Sequence, residues 1–372
     1  MKRILHIAKY YYPFRGGTEQ IAQDCVSSLT EYEQKVFCFN HEAGSLKDEV
    51  EGIDIIRCEC FAKISSQSLS FSYGIKLKKQ IKTFKPDIVI FHYPNPFAAH
   101  YLLKYISDET KLIIYWHLDI VKQTILRKMF WIQNMRLIKR ANKIIATSPN
   151  YIHGSYWMNK ASEKCVVIPN CINEKRLEAT AESKQIEAKI REENKSKVIC
   201  LAVGRHTKYK GFAYLIQASK YLDDRFRIFI AGEGELTEEL KREAVGDNKI
   251  KFLGLISDNE LRAYLSAMDI FCFPSITKNE AFGLALAEGM YYGKPAVTFT
   301  VKGSGINYVS LNGRTGIEVP NCDVKAYADA MKELANDKEL RDEYGRNGRN
   351  RVIENFLDEQ FVENIRKEVH KL

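Results

Sequence analysis

Two glutamates flank the start of an apolar segment in the second half of the chain. The stretch Asn279–Pro295 reads NEAFGLALAEGMYYGKP, in which Glu280 precedes a Phe-Gly step and Glu288 follows eight residues later. Two carboxylates in this arrangement could contact different parts of one extended ligand. Ordinary surface charge is the alternative, and the apolar neighbours of Glu288 make that alternative less attractive for this residue.

The segment between the two glutamates has the features of a helix start. Phe282-Gly283 predicts a turn into a helix over roughly 284–292, and a glycine and a proline beyond it would end the helix. The first N–H groups of a helix have no partner inside it and carry the positive end of its dipole. The N–H groups of residues 281–284 would therefore suit a phosphate placed between the two carboxylates.

Two cations follow another apolar strand pattern, KVICLAVG, in the loop RHTKYKG. Arg205 and Lys210 lie five residues apart, directly before a predicted helix. Cations beside a helix N-terminus form a good clamp for a diphosphate, because ionic hydrogen bonds and the helix dipole act on the same group. A pair of solvated surface cations is the alternative.

The first half of the chain contributes two further candidates. Gly16-Gly17 precede a predicted helix, and paired glycines let the backbone approach a ligand closely, although a plain turn also explains them. His117 ends the strand pattern KLIIYWH, where its side chain could reach a binding site, although a lone histidine is more often a structural hydrogen-bonding group. With Asp119 it forms an HxD fragment of the kind found in metal sites, but no third ligand is within sequence reach.

These residues follow strands of an alternating strand–helix pattern. Apolar strands separated by helices, such as Gly17–Tyr32 and Tyr73–Phe84, predict parallel α/β sheets, and two such sets predict two Rossmann-like doubly wound domains. Such sheets bind ligands at the carboxyl ends of their strands, so we expect the site in a central cleft that both domains face. The predicted strands cover residues 3–8, 35–40, 87–92, 111–117, 143–148 and 165–169, then 197–204, 225–232, 249–254, 269–274 and 295–299.

The expected domains are residues 1–170 and 171–355. The segment 170–196 is charged, poor in large apolar residues and without a strand pattern, so it is the strongest linker candidate.

Length and composition agree with a folded two-domain protein. The chain has 372 residues, of which 45% are hydrophobic and 28% charged. No segment approaches the roughly 20 apolar residues of a membrane span. Nine cysteines without a CxxC pair indicate reduced thiols, and Cys38, Cys165, Cys200 and Cys272 lie in apolar strand patterns. We expect a cytoplasmic protein.

The positive charge is concentrated in the first half. Residues 1–170 contain 24 Lys and Arg against 15 Asp and Glu, a net charge of +9, whereas residues 171–372 contain 32 of each. From residue 120 to 162 there are eight basic residues and no acidic one. A solvated basic face, an anionic membrane surface and a phosphate-bearing substrate all fit this charge. No nucleic-acid recognition motif accompanies it, so no nucleic-acid partner is expected.

The ordered motifs of the chain resemble those of the retaining GT-B glycosyltransferases of the GT4 type, also called glycosyl transferases group 1. The specific feature is the pair of glutamates separated by seven residues with an internal Phe-Gly. Supporting pieces occur in the family's order over nearly the whole chain. They are Gly16-Gly17, VIPNCIN (167–173), VGR…KG (203–211), AGEGE (231–235), FLGLISDNEL (252–261), GKP (293–295) and NGRTGIEV (312–319).

The resemblance implies a donor site mainly in the second domain. By it, Arg205 and Lys210 would hold the donor diphosphate, with backbone contacts from Ala281, Phe282, Gly283 and Leu284 and closure by Gly16 and Gly17 from the first domain. Glu288 would bind the ribose, Glu280 would lie at the transferred sugar, His117 would match the family's histidine near the sugar, and Leu255-Ile256 would flank the base. The last helix, about 356–372, would cross back to the first domain.

The resemblance also implies the reaction. We expect a retaining transfer from a UDP- or GDP-linked sugar to a glycan or lipid-linked acceptor, without a metal or other cofactor; the absence of an Asp-x-Asp motif agrees with this. Where the family often has a glutamate after strand 295–299, this chain has Asn307, which leaves the donor sugar open. The GSG-x-N sequence there is similar to some transferases of bacterial surface polysaccharides.

Three alternatives stay open at this point: a GT-B epimerase, a GT-B phosphorylase, and a nucleotide-sugar-binding protein without catalysis. The oligomeric state is not predicted. The segment MFWIQNMRLIKR (129–140) mixes apolar and basic residues, so it could contact an anionic membrane from the cytoplasmic side or form a core helix with one basic face.

Overall fold

The structure is a computed structural model that describes residues 1–14, 16–64, 67–120 and 130–372. The chain divides into two compact units. Unit 1 consists of Met1–Asn170 and Phe361–Leu372, and unit 2 of Cys171–Gln360.

Unit 1 is built on an eight-stranded sheet in the order β10-β9-β8-β7-β1-β2-β4-β3, parallel except for the antiparallel pair β3–β4. A separate antiparallel hairpin, β5–β6, lies outside this sheet. The central strands are apolar and buried on both faces, as parallel sheets covered by helices require. The strands are β1 (Arg3–Ile7), β2 (Glu33–Phe39), β3 (Leu46–Val50), β4 (Ile53–Cys58), β5 (Ala62–Ile64), β6 (Gln67–Leu69), β7 (Ile88–Tyr93), β8 (Lys111–Trp116), β9 (Lys143–Ala146) and β10 (Cys165–Val167).

Three of the described helices of unit 1 begin at a side-chain cap. Asn95, for example, caps the helix that follows it by accepting a hydrogen bond from the Ala98 N–H at 3.2 Å, and Pro96 occupies the first helical position. The helices are α1 (Gly17–Ser28), α2 (Tyr73–Phe84), α3 (Pro96–Tyr105), α4 (Trp131–Arg140), α5 (Pro149–Gly154) and α6 (Tyr156–Lys160), followed by a 3₁₀ turn, Ser162–Lys164.

Unit 2 has a six-stranded parallel sheet in the order β13-β12-β11-β14-β15-β16. The strands are β11 (Val198–Val203), β12 (Phe226–Ala231), β13 (Ile250–Gly254), β14 (Ile270–Phe273), β15 (Ala296–Phe299) and β16 (Gly316–Val319). Its helices are α7 (Glu174–Leu177), α8 (Ala181–Glu193), α9 (Phe212–Ser219), α10 (Thr237–Glu243), α11 (Asp258–Ala267), α12 (Leu284–Tyr291), α13 (Ile306–Val309), α14 (Val324–Asn336) and α15 (Lys338–Asn355), and Lys208–Lys210 form a 3₁₀ turn.

Both sheets contain the Rossmann order of parallel strands, 3-2-1-4-5-6 in chain order. The order reverses between β1 and β7 in unit 1 and between β11 and β14 in unit 2. Ligands of such sheets bind beside this switch point, at the carboxyl ends of the strands. The predicted parallel α/β architecture is confirmed, and the switch points show where each unit can hold a ligand.

The last helix, α16 (Asp358–His370), ends the chain against unit 1. Lys143 forms an ion pair with Glu368, and Arg366 Nε donates a 2.7 Å hydrogen bond to the Ser28 carbonyl. These contacts explain why the end of the chain belongs to the first compact unit.

The predicted linker 170–196 is wrong. Two helices, α7 and α8, occupy it, and Ile190 is buried in the unit 2 core. Arg191 forms an ion pair with Asp269 at 3.2 Å, and the Thr180 hydroxyl donates to Asn259 Oδ1 at 3.0 Å. The segment looked like a linker because a largely exposed helix is rich in charged residues.

Candidate functional site

The loops after β11 and β14 meet beside the switch point of unit 2. Ile276 N–H donates to the Tyr209 carbonyl at 2.9 Å, which ties the second loop to the first. Gly211, with φ +67°, is required here, because a Cβ at this position would lie 2.0 Å from the Pro274 carbonyl oxygen. This close backbone approach brings the predicted Lys210 and Glu280 together.

Lys210 and Glu280 form an ion pair in which each side chain is only 12% exposed. Ser275, the second residue after β14, donates its hydroxyl to the Glu280 carboxylate at 3.3 Å. Ser304 donates its hydroxyl to the Glu280 carbonyl. Burial works against the charged form of Lys210, but the Glu280 carboxylate outweighs it and the pKa of Lys210 is raised. Lys210 is therefore a fixed, largely desolvated positive charge.

Arg205 lies on the same loop as Lys210 but is exposed. Its positive charge opposes that of Lys210 and acts to lower the Lys210 pKa, so the two cations lie near each other.

Helix α12 begins beside this ion pair, as predicted. Gly283 precedes it with φ +95°. Among the residues that the structure describes, Phe282, Gly283 and Leu284 have no acceptor for their N–H groups. The loop after β15 supports this turn, because a Cβ at Gly305 would lie 2.0 Å from the Ala281 carbonyl oxygen. The turn thus presents three backbone donors next to Lys210.

Glu288 lies in the second turn of α12, about 6 Å further along the helix axis. It is half-buried, and within the described ranges its carboxylate has neither a hydrogen bond nor an ion pair. Burial raises its pKa, and the nearby Arg176 guanidinium opposes this shift. Arg176 itself lies 3.9 Å from Asp258. A half-buried carboxylate without a partner is costly in a folded protein and is typical of a ligand-binding position.

Other predicted donor-site residues have weaker structural signals. Leu255, directly after β13, is 77% exposed, and Ile256 is half-buried. Asn307 accepts from the Val301 N–H at 2.9 Å and donates to the Phe299 carbonyl at 3.1 Å. These two hydrogen bonds hold the loop after β15. Asn307 therefore has a structural role at the position where the family that the sequence resembles often has a glutamate.

Sequence reasoning missed Ser275, Ser304 and Arg176. Ser275 could have been found, because it follows a strand that precedes the glutamate pair. Ser304 and Arg176 come from other segments and carry no local signal.

In unit 1, His117 directly follows β8 and is buried. Its Nε2 lies 3.0 Å from Nδ1 of His92, a second buried histidine, on β7. Burial lowers the pKa of His117 to about 3 and that of His92 well below its usual value. Both rings are therefore neutral at ordinary pH.

The predicted glycine pair lies at the start of α1, beyond the end of β1. Gly16 is the N-cap and Gly17 the first helical residue. A Cβ at Gly16 would lie 2.3 Å from a carboxylate oxygen of Glu19, which accepts a 2.8 Å hydrogen bond from the Thr18 hydroxyl.

Asp119 has a structural role. Its Oδ1 accepts from the Trp116 indole at 3.0 Å and from the Ser155 hydroxyl at 2.8 Å, so these hydrogen bonds hold the carboxylate in the fold. Across the described residues no group of three His, Cys, Asp or Glu side chains could hold a metal ion. All nine cysteines are free thiols, and Cys165 is only partly buried. The expected independence from metals stays a prediction.

The basic region 120–162 is described only in part, because residues 121–129 lie outside the described ranges. Helix α4 buries Asn134 and Leu137 and exposes Trp131, Ile132 and Met135, with Ile132 67% exposed. The apolar residues of this helix are therefore largely on its outer face, which the reading as a core helix does not explain. No helix in the described part of the chain is long and apolar enough to cross a membrane.

Comparisons with known proteins bear on both units. Residues 183–351 match the profile described as Glycosyl transferases group 1, and residues 15–176 match Glycosyltransferase Family 4. The chain is 30% identical over 370 residues to O-antigen chain mannosyltransferase C of Escherichia coli, covering 97% of this chain and 96% of that protein. It is 29% identical over 300 residues to D-rhamnosyltransferase WbpZ of Pseudomonas aeruginosa, covering 79% and 77%.

Two solved structures show the same fold. HepE of Anabaena, in complex with UDP and glucose, aligns with a TM-score of 0.81 at 16% identity over 100% of both chains. WaaG, a glycosyltransferase involved in lipopolysaccharide biosynthesis, aligns with a TM-score of 0.74 at 16% identity over 98% of this chain and 99% of that chain. The predicted GT-B fold is confirmed.

Proposed function

The chain belongs to the glycosyl transferases of group 1 and is a glycosyltransferase, and we propose that it transfers a sugar from a UDP- or GDP-linked donor with retention of configuration. We further propose that the product belongs to a bacterial surface polysaccharide, as the names of the O-antigen and capsule relatives indicate for those proteins.

The observation that supports the donor most is the order of groups along α12. An ion-paired glutamate, three unpaired N–H groups and an unpaired glutamate follow one another along the chain from residue 280 to residue 288. They match the three parts of a nucleotide sugar. Glu280 would accept hydrogen bonds from sugar hydroxyls, the N–H groups of Phe282–Leu284 would bind phosphate, and Glu288 would accept from the ribose hydroxyls.

Donor binding would exchange partners at the ion pair. In the free protein Lys210 is neutralised by Glu280. A diphosphate carries more charge than a carboxylate, so Lys210 would turn to the phosphate and Glu280 would be released toward the sugar. In the ligand-free protein, the ion pair would thus compensate two largely buried charges that would otherwise have no partner.

The reaction needs stabilisation of the leaving diphosphate. The bond from the anomeric carbon to the β-phosphate oxygen breaks, and a bond to the acceptor oxygen forms on the same face of the sugar. The acceptor proton passes to the leaving phosphate. Lys210, Arg205 and the α12 N–H groups stabilise the negative charge that develops on this phosphate.

The proposed acceptor is lipid-linked or a glycan, and unit 1 has a cavity suited to an amphiphile. This cavity, of about 670 Å³, is lined by apolar side chains that include Phe97, Leu103 and Ile132, and by the basic side chains of Lys104 and Arg136. An apolar wall with cations beside it favours a hydrocarbon chain that carries a phosphate. The outer face of α4 supports a further proposal, contact with an anionic membrane surface.

The donor proposal is tested by thermal stabilisation with UDP, GDP and dTDP and their sugars. One nucleotide is expected to raise the melting temperature of the wild type clearly more than that of Glu288→Ala at the same ligand concentration. Glu339→Ala, which removes an exposed glutamate from the start of α15, is the matched control and should bind like the wild type. If no nucleotide or nucleotide sugar stabilises the wild type, the proposed donor is wrong.

The predicted independence from metals has its own test. Because Lys210, Arg205 and backbone N–H groups would supply the positive charge, turnover with the best donor is expected to be unchanged by excess EDTA. A loss of turnover that Mg²⁺ or Mn²⁺ restores would contradict the prediction.

A further inference from the structure

Three buried histidines lie along one face of the unit 1 sheet, on strands that flank its switch point. His6 lies in β1, His92 in β7 and His117 directly after β8. The ring centroid of His92 is 6.2 Å from that of His6 and 5.3 Å from that of His117, and the rings are stacked. The role that the family resemblance implies for His117, near the transferred sugar, involves only one of these three histidines.

The proton of His6 can be placed from its neighbours. Its Nε2 lies 2.8 Å from Gln34 Oε1. The Gln34 amide nitrogen donates to the carbonyls of Val26 and Leu29, at 3.0 and 2.9 Å, so the Gln34 oxygen is correctly oriented as an acceptor. His6 therefore carries its proton on Nε2 and is fixed by Gln34.

His92 and His117 share one proton between His92 Nδ1 and His117 Nε2, which are 3.0 Å apart. If His117 were the donor, neutral His92 would carry its own proton on Nε2. That atom is buried, and no acceptor for it lies within the described part of the chain. A buried N–H without an acceptor is less common in proteins than a buried acceptor without a donor. His92 is thus the donor, and His117 carries its own proton on Nδ1.

We propose that His92 is a positioning residue that fixes the ring and the tautomer of His117, so that His117 offers an N–H donor at Nδ1. This inference rests on the proposed function and on the family resemblance, by which His117 would lie near the transferred sugar. Within the described residues Nδ1 has no hydrogen-bond partner, and it is not among the fully enclosed unpaired atoms, so it is open to a further partner. A protonated Nδ1 can donate to a hydroxyl oxygen of the sugar or acceptor, and it cannot remove a proton from one.

The surroundings of the histidine row, which consists of His6, His92 and His117, favour neutral rings. The groups that face His92 and His117 are His6, with Gln34 behind it, and the ring of Tyr115, which stacks on His117 at 4.6 Å. The Tyr115 hydroxyl donates to Asn170 at 2.9 Å. No carboxylate is bonded to any of the three rings in the described residues, so none of them gains a charge partner.

The test is long-range ¹H–¹⁵N correlation NMR on the full chain with ring-¹⁵N histidine, with signals assigned by His→Asn variants. His117 is expected as the Nδ1–H tautomer. A free histidine side chain prefers the proton on Nε2, so this result would show that the protein imposes the tautomer. Finding His117 with its proton on Nε2 would overturn the proposal.

Two variants of His92 separate positioning from packing. His92→Phe keeps a stacked ring but no hydrogen bond, and we expect kcat to fall about 10- to 100-fold with donor KM changed less than about threefold, as for one lost positioned hydrogen bond. His92→Asn places an amide N–H where Nδ1 was and should restore most of kcat and the Nδ1–H signal of His117. If both variants lose kcat equally, or if His92→Phe loses none, the positioning role is wrong.

Failure of the proposed function would look different. In that case no nucleotide sugar would bind to the wild type, while the tautomer of His117 could still be read by NMR and would still test the pairing with His92.

Discussion

Glu288 is half-buried, and its carboxylate has no hydrogen bond or ion pair in the described structure. A residue kept for stability would be expected to have one. Removing an unpaired, partly desolvated charge should not destabilise the fold and can stabilise it.

We therefore expect Glu288→Ala to separate stability from binding. Affinity for the nucleoside diphosphate should fall about 10- to 100-fold, because two hydrogen bonds from ribose hydroxyls to a charged acceptor are lost. The free energy of unfolding without ligand should stay the same or rise. Calorimetric titration and chemical unfolding measure the two quantities. A variant that is less stable yet binds normally would make Glu288 a structural residue.

The role of the Glu280 charge in its ion pair with Lys210 is tested by a substitution that keeps the size and shape of the side chain. Glu280→Gln keeps the acceptor oxygen but removes the charge that neutralises Lys210. We expect turnover to fall at least about tenfold, because contacts to the transferred sugar weaken. Binding of UDP or GDP should be unchanged or tighter, because the diphosphate no longer competes with a carboxylate for Lys210. Loss of nucleotide binding together with turnover would contradict this separation.

At the scale of elements, the sequence predicted the buried strands well and the exposed ones poorly. All eleven predicted strands are present, from β1 to β15, because apolar residues in parallel sheets form continuous runs. Five strands were missed. β3 (LKDEV) is a charged antiparallel strand at the sheet edge, β5 and β6 have three residues each, and β16 is short and follows a turn. β4 (IDIIRC) is the exception to this division, because it is buried and parallel but its apolar run is interrupted by Asp54 and Arg57. The linker prediction failed at helix α8 because this helix is largely exposed and therefore rich in charged residues.

The candidate site followed the same division. Lys210, Glu280 and the α12 turn were found because they follow apolar strands directly. The ion pair between Lys210 and Glu280 was not predicted, because the two residues are 70 positions apart in the sequence. They meet only because their two loops approach each other closely at Gly211. The row of histidines was missed because its members lie on three strands and meet only in the sheet.

This row predicts a pH dependence of stability for the unit 1 sheet. Burial lowers the pKa of His6 to about 4 and of His117 to about 3. Below about pH 6.5 the unfolded chain binds protons that the folded chain does not, so stability falls as the pH falls. The loss between pH 6.5 and 5 should be about 2 kcal/mol for each histidine.

The measurement compares chemical unfolding at pH 7 and pH 5 in three proteins. His6→Gln, which can still donate to Gln34, should lose less stability on acidification than the wild type, because one titrating group has been removed. The exposed His153→Gln is the control and should follow the wild type. Equal losses in all three would mean that His6 is already accessible to protons in the folded state.

At the scale of the whole molecule, charge and exposed apolar surface are concentrated in the same unit. The net charge of +9 lies in residues 1–170. In the described part of unit 1, large exposed apolar residues include the stacked pair Phe61 and Phe71, and Trp131, Ile132 and Met135 of α4. Unit 2 exposes fewer, and Leu255 among them is the residue predicted to flank the base. This combination favours a membrane-facing unit 1 and a donor-binding unit 2.

The membrane proposal predicts that the protein floats with vesicles of phosphatidylcholine and phosphatidylglycerol at low salt. Ile132→Ser with Met135→Ser should weaken binding at least about tenfold, because each exposed apolar side chain would contribute about 1.5–3 kcal/mol when buried in the interface. Arg136→Gln with Lys139→Gln should remove much of the dependence on the anionic lipid and on salt, at about 1 kcal/mol for each cation near the surface.

The control for this experiment is a pair of exposed apolar residues in unit 2. Tyr221→Ser with Val245→Ser removes side chains that are 53% and 81% exposed. This double variant should float like the wild type, because its positions belong to the unit without excess charge. If it loses binding as much as the α4 variants do, adsorption is unspecific. If the wild type does not float even at low salt, α4 faces something other than a membrane, and the acceptor must reach unit 1 from solution.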